Sequence, residues 1–218
     1  MELIEDAWAG KSCVIVGGGP SLRSFRWDWL KGRPHTIVVN RAFINVPTAA
    51  IWFTEDARTV PLWGAQLRQF KGLKVWHALE TSEIEAVKAI DPSIHIIHNR
   101  REDKFWSHSF GAGLSYSSNS VVGAMNIATI LNANPIYLLG VDCRSEGLMM
   151  QNFHDDYRSD PMWEVGSNAA DNFKNDFEGW VAPHVKDRTV VSLINPEYPT
   201  ALTCWPRIDW KSHFECTL

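Results

Sequence analysis

The sequence predicts an α/β fold: a Rossmann-like, mainly parallel sheet with helices on both faces, in a single domain. Three observations lead there. Seven short apolar runs recur along the 218 residues, helical stretches separate several of them, and the first run ends in three glycines. Continuous apolar runs bounded by turn residues are the pattern of strands buried on both faces. Their alternation with helices implies a parallel sheet covered on each side.

The runs fall at 12–16, 36–40, 49–54, 74–78, 94–98, 136–142 and 189–195. Between them, 60–69 and 82–90 read as helices. The segment 120–131 is the strongest helix, with Val121, Met125, Ala128, Ile130 and Leu131 forming a broad apolar face. The segment 169–185 is amphipathic, carrying Phe173, Phe177, Trp180 and Val181 on one side. Two polar stretches, 99–119 and 143–167, interrupt this rhythm. Loops of that length in a compact domain commonly serve as lids or binding loops. Both follow strands at the edge where open α/β sheets bind ligands.

Composition narrows the classes. Hydrophobic residues at 45% and charged residues at 21% suit a globular chain and exclude long disorder. A net charge of −4 supplies no global basic field, which argues against a simple DNA-coating protein but not against a local basic patch. The four cysteines (Cys13, Cys143, Cys204, Cys216) form no CxxC pair and no zinc spacing. Cys13 and Cys143 fall in apparent strands and are expected to pack as small hydrophobes. There is no charged start followed by an apolar signal core, and no apolar run of spanning length. A soluble, cytoplasmic protein without a membrane span is therefore expected. Of eleven tryptophans, Trp27, Trp29, Trp63, Trp106, Trp163, Trp205 and Trp210 sit beside charge or proline. Tryptophan favours half-buried sites and interfaces, so rim packing and a homo-oligomer are expected.

The most informative run is Val14-Ile15-Val16-Gly17-Gly18-Gly19-Pro20-Ser21-Leu22. Glycines let a backbone turn sharply and approach a ligand, and proline suits the first turn of a following helix. Exposed N–H groups at that helix start, with the Ser21 hydroxyl, would attract a phosphate. The run is neither GxGxxG, since Leu22 stands at the last glycine, nor a P-loop. A tight turn without ligand is the alternative. Asn40 and Arg41 end the second strand, and Thr54-Glu55-Asp56 end the third. Such residues suit a ribose or base, although asparagine also simply forms turns. Ser117, Ser118, Asn119 and Ser120 open the 120–131 helix as N-caps or as a second phosphate-facing terminus. In the second long loop, His154 beside Asp155 and Asp156 suits a general base with an oriented imidazole, or a solvated loop histidine. A cation held by Asp142, Asp155 and Asp156 matches no standard spacing, so no metal site is expected.

Together these segments resemble a known group. Val16 to Leu22, Val39-Asn40-Arg41-Ala42-Phe43, Ser118-Asn119-Ser120-Val121 and Ile136 to Asp142 look like the bacterial sialyltransferases of glycosyltransferase family 42. They look equally like the wider DUF115 (MptE-like) superfamily, which includes many phage proteins. Ser192 to Pro196 with Thr200-Ala201-Leu202 also fits, so the similarity runs along nearly the whole chain in order. The resemblance implies a transferase that uses a nucleotide-activated sugar, CMP- or UDP-linked, with inversion and no required cofactor. It places the donor on Gly18, Gly19, Ser21, Asn40 and Ser120, and the reading of the loop, strand and helix ends adds Gly17, Pro20, Thr54, Asp56 and Asn119. Thr54 stands where that family has a further donor-contacting asparagine. Val165-Gly166-Ser167-Asn168 stands where it has its histidine base, and His154, oriented by Asp155 or Asp142, is the nearest substitute. The implied acceptor is a hydroxyl, of a glycan or a modified DNA base, and a phage source would place the protein in host cytoplasm. Pyrophosphoryl transfer from ATP, with Mg²⁺ on Asp56 and Asp142, is the superfamily's other chemistry; a non-catalytic binding protein is the third reading.

Overall fold

The computed structural model describes residues 2–78, 80–98, 105–115, 117, 119–144, 169–197, 199–209 and 211–212. Seven strands form one sheet: β1 (Cys13–Val16), β2 (Thr36–Val39), β3 (Ile51–Thr54), β4 (Leu73–Ala78), β5 (His95–His98), β6 (Ile136–Leu139) and β7 (Val191–Ile194). Their order is β5-β4-β3-β2-β1-β6-β7, and every neighbouring pair is parallel. Each strand lies inside one of the runs read from sequence, or within one residue of it, because a strand flanked on both sides and covered on both faces has few polar positions.

Side chains alternate between two cores. On one face Cys13, Ile15, Ile37, Val39, Phe53, Ile136, Leu138 and Leu193 pack against α3 (Ser120–Ile130) and against Phe177, Val181 and Val185. On the other, Val14, Val16, Val38, Trp52, Trp76, Leu139 and Ile194 pack against α1 (Thr59–Leu67) and α2 (Ile84–Ile90). From β1 the chain moves outward to β5 with α1 and α2 on one face. It then crosses through α3 to β6, and through α4 (Ala169–Asn175), a π-helical turn (Asp176–Val181) and α5 (Ala182–Val185) to β7. Covering face and direction switch together, as connections of one handedness require. The switch lies between β1 and β6, and in open α/β sheets that point is where the crevice forms at the carboxyl edge.

Three expectations need correction. The glycine loop does not open an α-helix. Pro20–Leu22 and Trp27–Leu30 are short 3₁₀ turns, the first ending at the Arg23 N–H, which donates to the Pro20 carbonyl. Cys143 lies beyond β6 with φ of 47° and is half-buried, while Cys13 is fully enclosed as expected. Trp63 and Trp106 belong to the interior, at 8% and 5% exposure; Trp27, Trp29 and Trp205 are half-buried. Neighbouring charge marks where a chain reaches the surface, not which way an indole turns. The segment 169–185 is helical throughout, but its middle is a π turn that brings Phe177 and Val181 inward. Among the described residues no helix is long and apolar enough to cross a membrane.

Candidate functional site

The Gly17–Ser21 loop leaves the carboxyl end of β1 and packs directly on residues 140–142, which leave β6. Gly17 N–H donates to the Leu139 carbonyl and Gly19 N–H to the Gly140 carbonyl, each at 2.8 Å. A Cβ on Gly19 would lie 2.5 Å from the Gly140 oxygen and 2.6 Å from the Asp142 carboxyl carbon. A Cβ on Gly17 would lie 2.7 Å from the same Gly140 oxygen. These two glycines therefore serve the close approach of two chain segments. Gly18, between them, is half-buried, as is Gly19.

Asp142 ties this region together. Its Oδ2 accepts from the Ser21 N–H at 2.8 Å, and its Oδ1 accepts from the Ser21 hydroxyl at 2.6 Å and from the Asn195 amide. The Thr200 hydroxyl donates to the Val141 carbonyl at 2.7 Å, and Ala201 N–H donates to the Asp142 carbonyl at 2.8 Å. Burial pushes the Asp142 carboxyl above the usual range, against the hydrogen bonds from Ser21 and Asn195 that pull it down. Both donors of Ser21, the residue expected to hold a phosphate, meet this internal carboxylate in the structure. Asp142, expected to orient His154, holds the glycine loop; His154 itself lies outside the described residues. Pro20, fully buried in the same turn, shapes that loop.

The neighbouring strand ends carry a second polar group. Asn40 adopts φ of 52°, its carbonyl accepting from the Trp52 indole N–H and its Oδ1 from the Thr54 hydroxyl, each at 2.7 Å. Among the described residues the Asn40 amide NH₂ donates to nothing. Thr54 is fully buried and its hydroxyl donates to Asn40 Oδ1, which orients that side chain. Asp56 is gripped by Arg58, Nε to Oδ1 at 2.8 Å and Nη2 to Oδ2 at 2.7 Å. That fork gives each Asp56 oxygen a partner within its own chain. Asn119 caps α3, its Oδ1 accepting from the Val121 N–H at 2.9 Å, as its residue type favours. Ser120 Oγ accepts from the Glu55 N–H at 3.3 Å, which leaves its own proton to donate elsewhere.

Between β3 and β4 the sequence left a pair unrecognised. His77 Nδ1 lies 3.1 Å from Glu55 Oε1, with the side chains 0% and 6% exposed. Burial raises the Glu55 carboxyl to about 7, with His77 pulling it down and Asp176 pushing it up. Thr54 pairs with Trp76 in the parallel register, so the next residues, Glu55 and His77, are brought level. That register was the missing signal.

Gly18, Asn40 and Ser120 thus lie on one carboxyl edge, that of β1, β2 and β3. His154 and Asp155 lie outside the described residues, as do most of loop 143–167 and residues 99–104. Among the described residues no three His, Cys, Asp or Glu side chains gather as a metal site. The fold and this edge define a Rossmann-like α/β protein with a glycine loop at its topological switch point. In comparison with known proteins, no family model and no curated protein matches the chain.

Proposed function

We propose that the protein is a transferase acting on a nucleotide-activated sugar, CMP- or UDP-linked, that inverts the transferred carbon and passes it to a hydroxyl acceptor. The observation that carries this reading is the alignment of three groups along adjacent strand ends: the glycine loop after β1, Asn40 after β2, and the Glu55–Ser120 contact after β3. Strands lie about 4.8 Å apart, so the three span about 10 Å, a length that a nucleoside and its phosphate cover. Asn40 offers its amide to a base or ribose, with orientation locked by Thr54. α3, eleven residues long, directs its N-terminal N–H groups and the Ser120 hydroxyl to the same edge. These donors would stabilise the departing phosphate without an obligatory cation. The carboxylates named for a Mg²⁺-dependent kinase are both committed elsewhere, Asp56 to Arg58 and Asp142 to Ser21 and Asn195.

The test is thermal stabilisation by CMP, UDP, GDP and ATP, each with and without Mg²⁺. A ligand at a hundred times its Kd adds about 2.7 kcal/mol to the folded state, a shift readily seen. CMP or UDP should stabilise the protein independently of metal. Stabilisation by ATP that requires Mg²⁺, or by none of the four, would remove the proposal.

A further inference from the structure

A carboxyl enclosed in a protein is usually satisfied on both oxygens. Glu55 is not. Its Oε1 meets His77, while its Oε2 is buried and has no hydrogen-bond partner among the described residues. The site is shaped for this carboxyl. α3 passes over it at Gly123, where a Cβ would lie 2.7 Å from Oε1 and 2.6 Å from the Phe53 ring. The Glu55 backbone is tied at the same time to Ser120, which opens α3. The groups facing the carboxyl are His77 from β4 and Asp176 from the π turn; α3 contributes no charged residue, and Asp56, next along the chain, is paired with Arg58.

We propose that Glu55, oriented by His77, takes the proton of the acceptor hydroxyl at Oε2. This role rests on the transferase reading above. The acceptor oxygen bonds to the transferred carbon as the bond from that carbon to the phosphate oxygen breaks. The electron pair leaves with the nucleotide. The hydroxyl proton passes to Oε2, and the carboxyl then releases it to solvent. A base that titrates near neutrality is both ionised and proton-seeking at working pH, which a surface carboxylate is not. An acceptor hydroxyl would also satisfy the oxygen that the fold leaves bare. His77 acts through Glu55 and is a positioning residue.

Three readouts test the role. In infrared difference spectra of wild type against Glu55→Gln, the protonated-carboxyl band should vanish with a midpoint near pH 7. Release of nucleotide from CMP- and UDP-linked sugars, with water as acceptor, should fall about 10²–10⁴-fold in Glu55→Gln, while stabilisation by the free nucleotide persists. In His77→Gln the rising limb of the rate should move to higher pH, because the His77 contact lowers the Glu55 pKa. Near-wild-type release by a folded Glu55→Gln overturns the role and leaves the transferase reading standing. A carboxylate ionised throughout pH 5–9 overturns it as well. If Glu55→Gln does not fold, an unmoved limb in His77→Gln overturns it. A wild type that is neither stabilised by nucleotide nor able to release it sinks the transferase reading and this role together.

Discussion

The two halves of the carboxyl edge use similar residues and end in opposite conditions. Where β1, β6 and β7 meet, Asp142 is buried, and both its oxygens accept hydrogen bonds, from Ser21 and Asn195. Where β3 and β4 end, the Glu55 side chain is also enclosed, but one oxygen has no hydrogen-bond partner among the described residues and the pKa is raised to about 7. A satisfied buried carboxylate fixes a loop; an unsatisfied one keeps a destabilised charge that chemistry can use. The first half is framework, and the second half is where reactivity should be sought.

The largest expected effect breaks the framework. Asp142→Ala strands the Ser21 N–H, the Ser21 hydroxyl and the Asn195 amide, and should cost about 3–4 kcal/mol in urea unfolding, given about 1–3 kcal/mol for each buried donor left unpaired. A loss under about 1 kcal/mol would show that water replaces the carboxylate easily, and the contrast between the halves would fall. Gly19→Ala comes next. Its Cβ would collide with the Gly140 carbonyl and the Asp142 carboxyl, which cannot both retreat without opening the loop. A cost of about 2–3 kcal/mol is expected.

Glu55→Gln should act in the opposite direction and depend on pH. The folded-state pKa of Glu55 is raised to about 7 from an ordinary 4.5, so the folded state binds this proton more tightly than the unfolded chain. Wild type therefore has its full Glu55 contribution below the ordinary carboxylate range and loses it as pH rises through about 7. Removing the charge should stabilise the protein by about 2 kcal/mol at pH 8, a figure reduced from the full linkage value because an amide is itself poorly solvated there. At pH 5 the gain should be small. Equal denaturation midpoints at pH 5 and 8, relative to wild type, would show that Glu55 is ionised without penalty. The smallest effect on stability belongs to Asn40→Gly. Glycine accepts φ of 52° without strain, and the Thr54 hydroxyl that loses Asn40 Oδ1 has the Asp56 carbonyl at 3.3 Å, so unfolding should cost only about 1 kcal/mol. Loss of the amide should still weaken nucleotide binding about tenfold, the equivalent of one hydrogen bond. Unchanged affinity would take Asn40 out of the site.

How much of this was legible in the sequence differs between fold and site. The seven apolar runs, the 120–131 helix and the 169–185 segment stand where periodicity placed them. The glycine loop, Asn40 and Ser120 were placed at strand and helix ends because turn-competent and capping residues cluster there. Their partners were not. Ser21 looked like a phosphate donor because its spacing after three glycines suits one; Asp142, which takes its donors, is 121 residues away. Thr54 and Asp56 looked like crevice residues because they end a strand, but one faces Asn40 and the other folds back on Arg58.

The sequence by itself determined the α/β class, the parallel sheet and the positions of its turns, because these follow from hydrophobic period and from local backbone preference, which act over a few residues. Only the tertiary structure decided which polar groups are committed and which remain available. That choice depends on strand order and register, which set Asp142 against Ser21 across the switch point and bring Glu55 level with His77. Burial then does what no local pattern reveals: it removes water from two carboxyls alike and lets the hydrogen bonds each has found decide how far its charge is disfavoured.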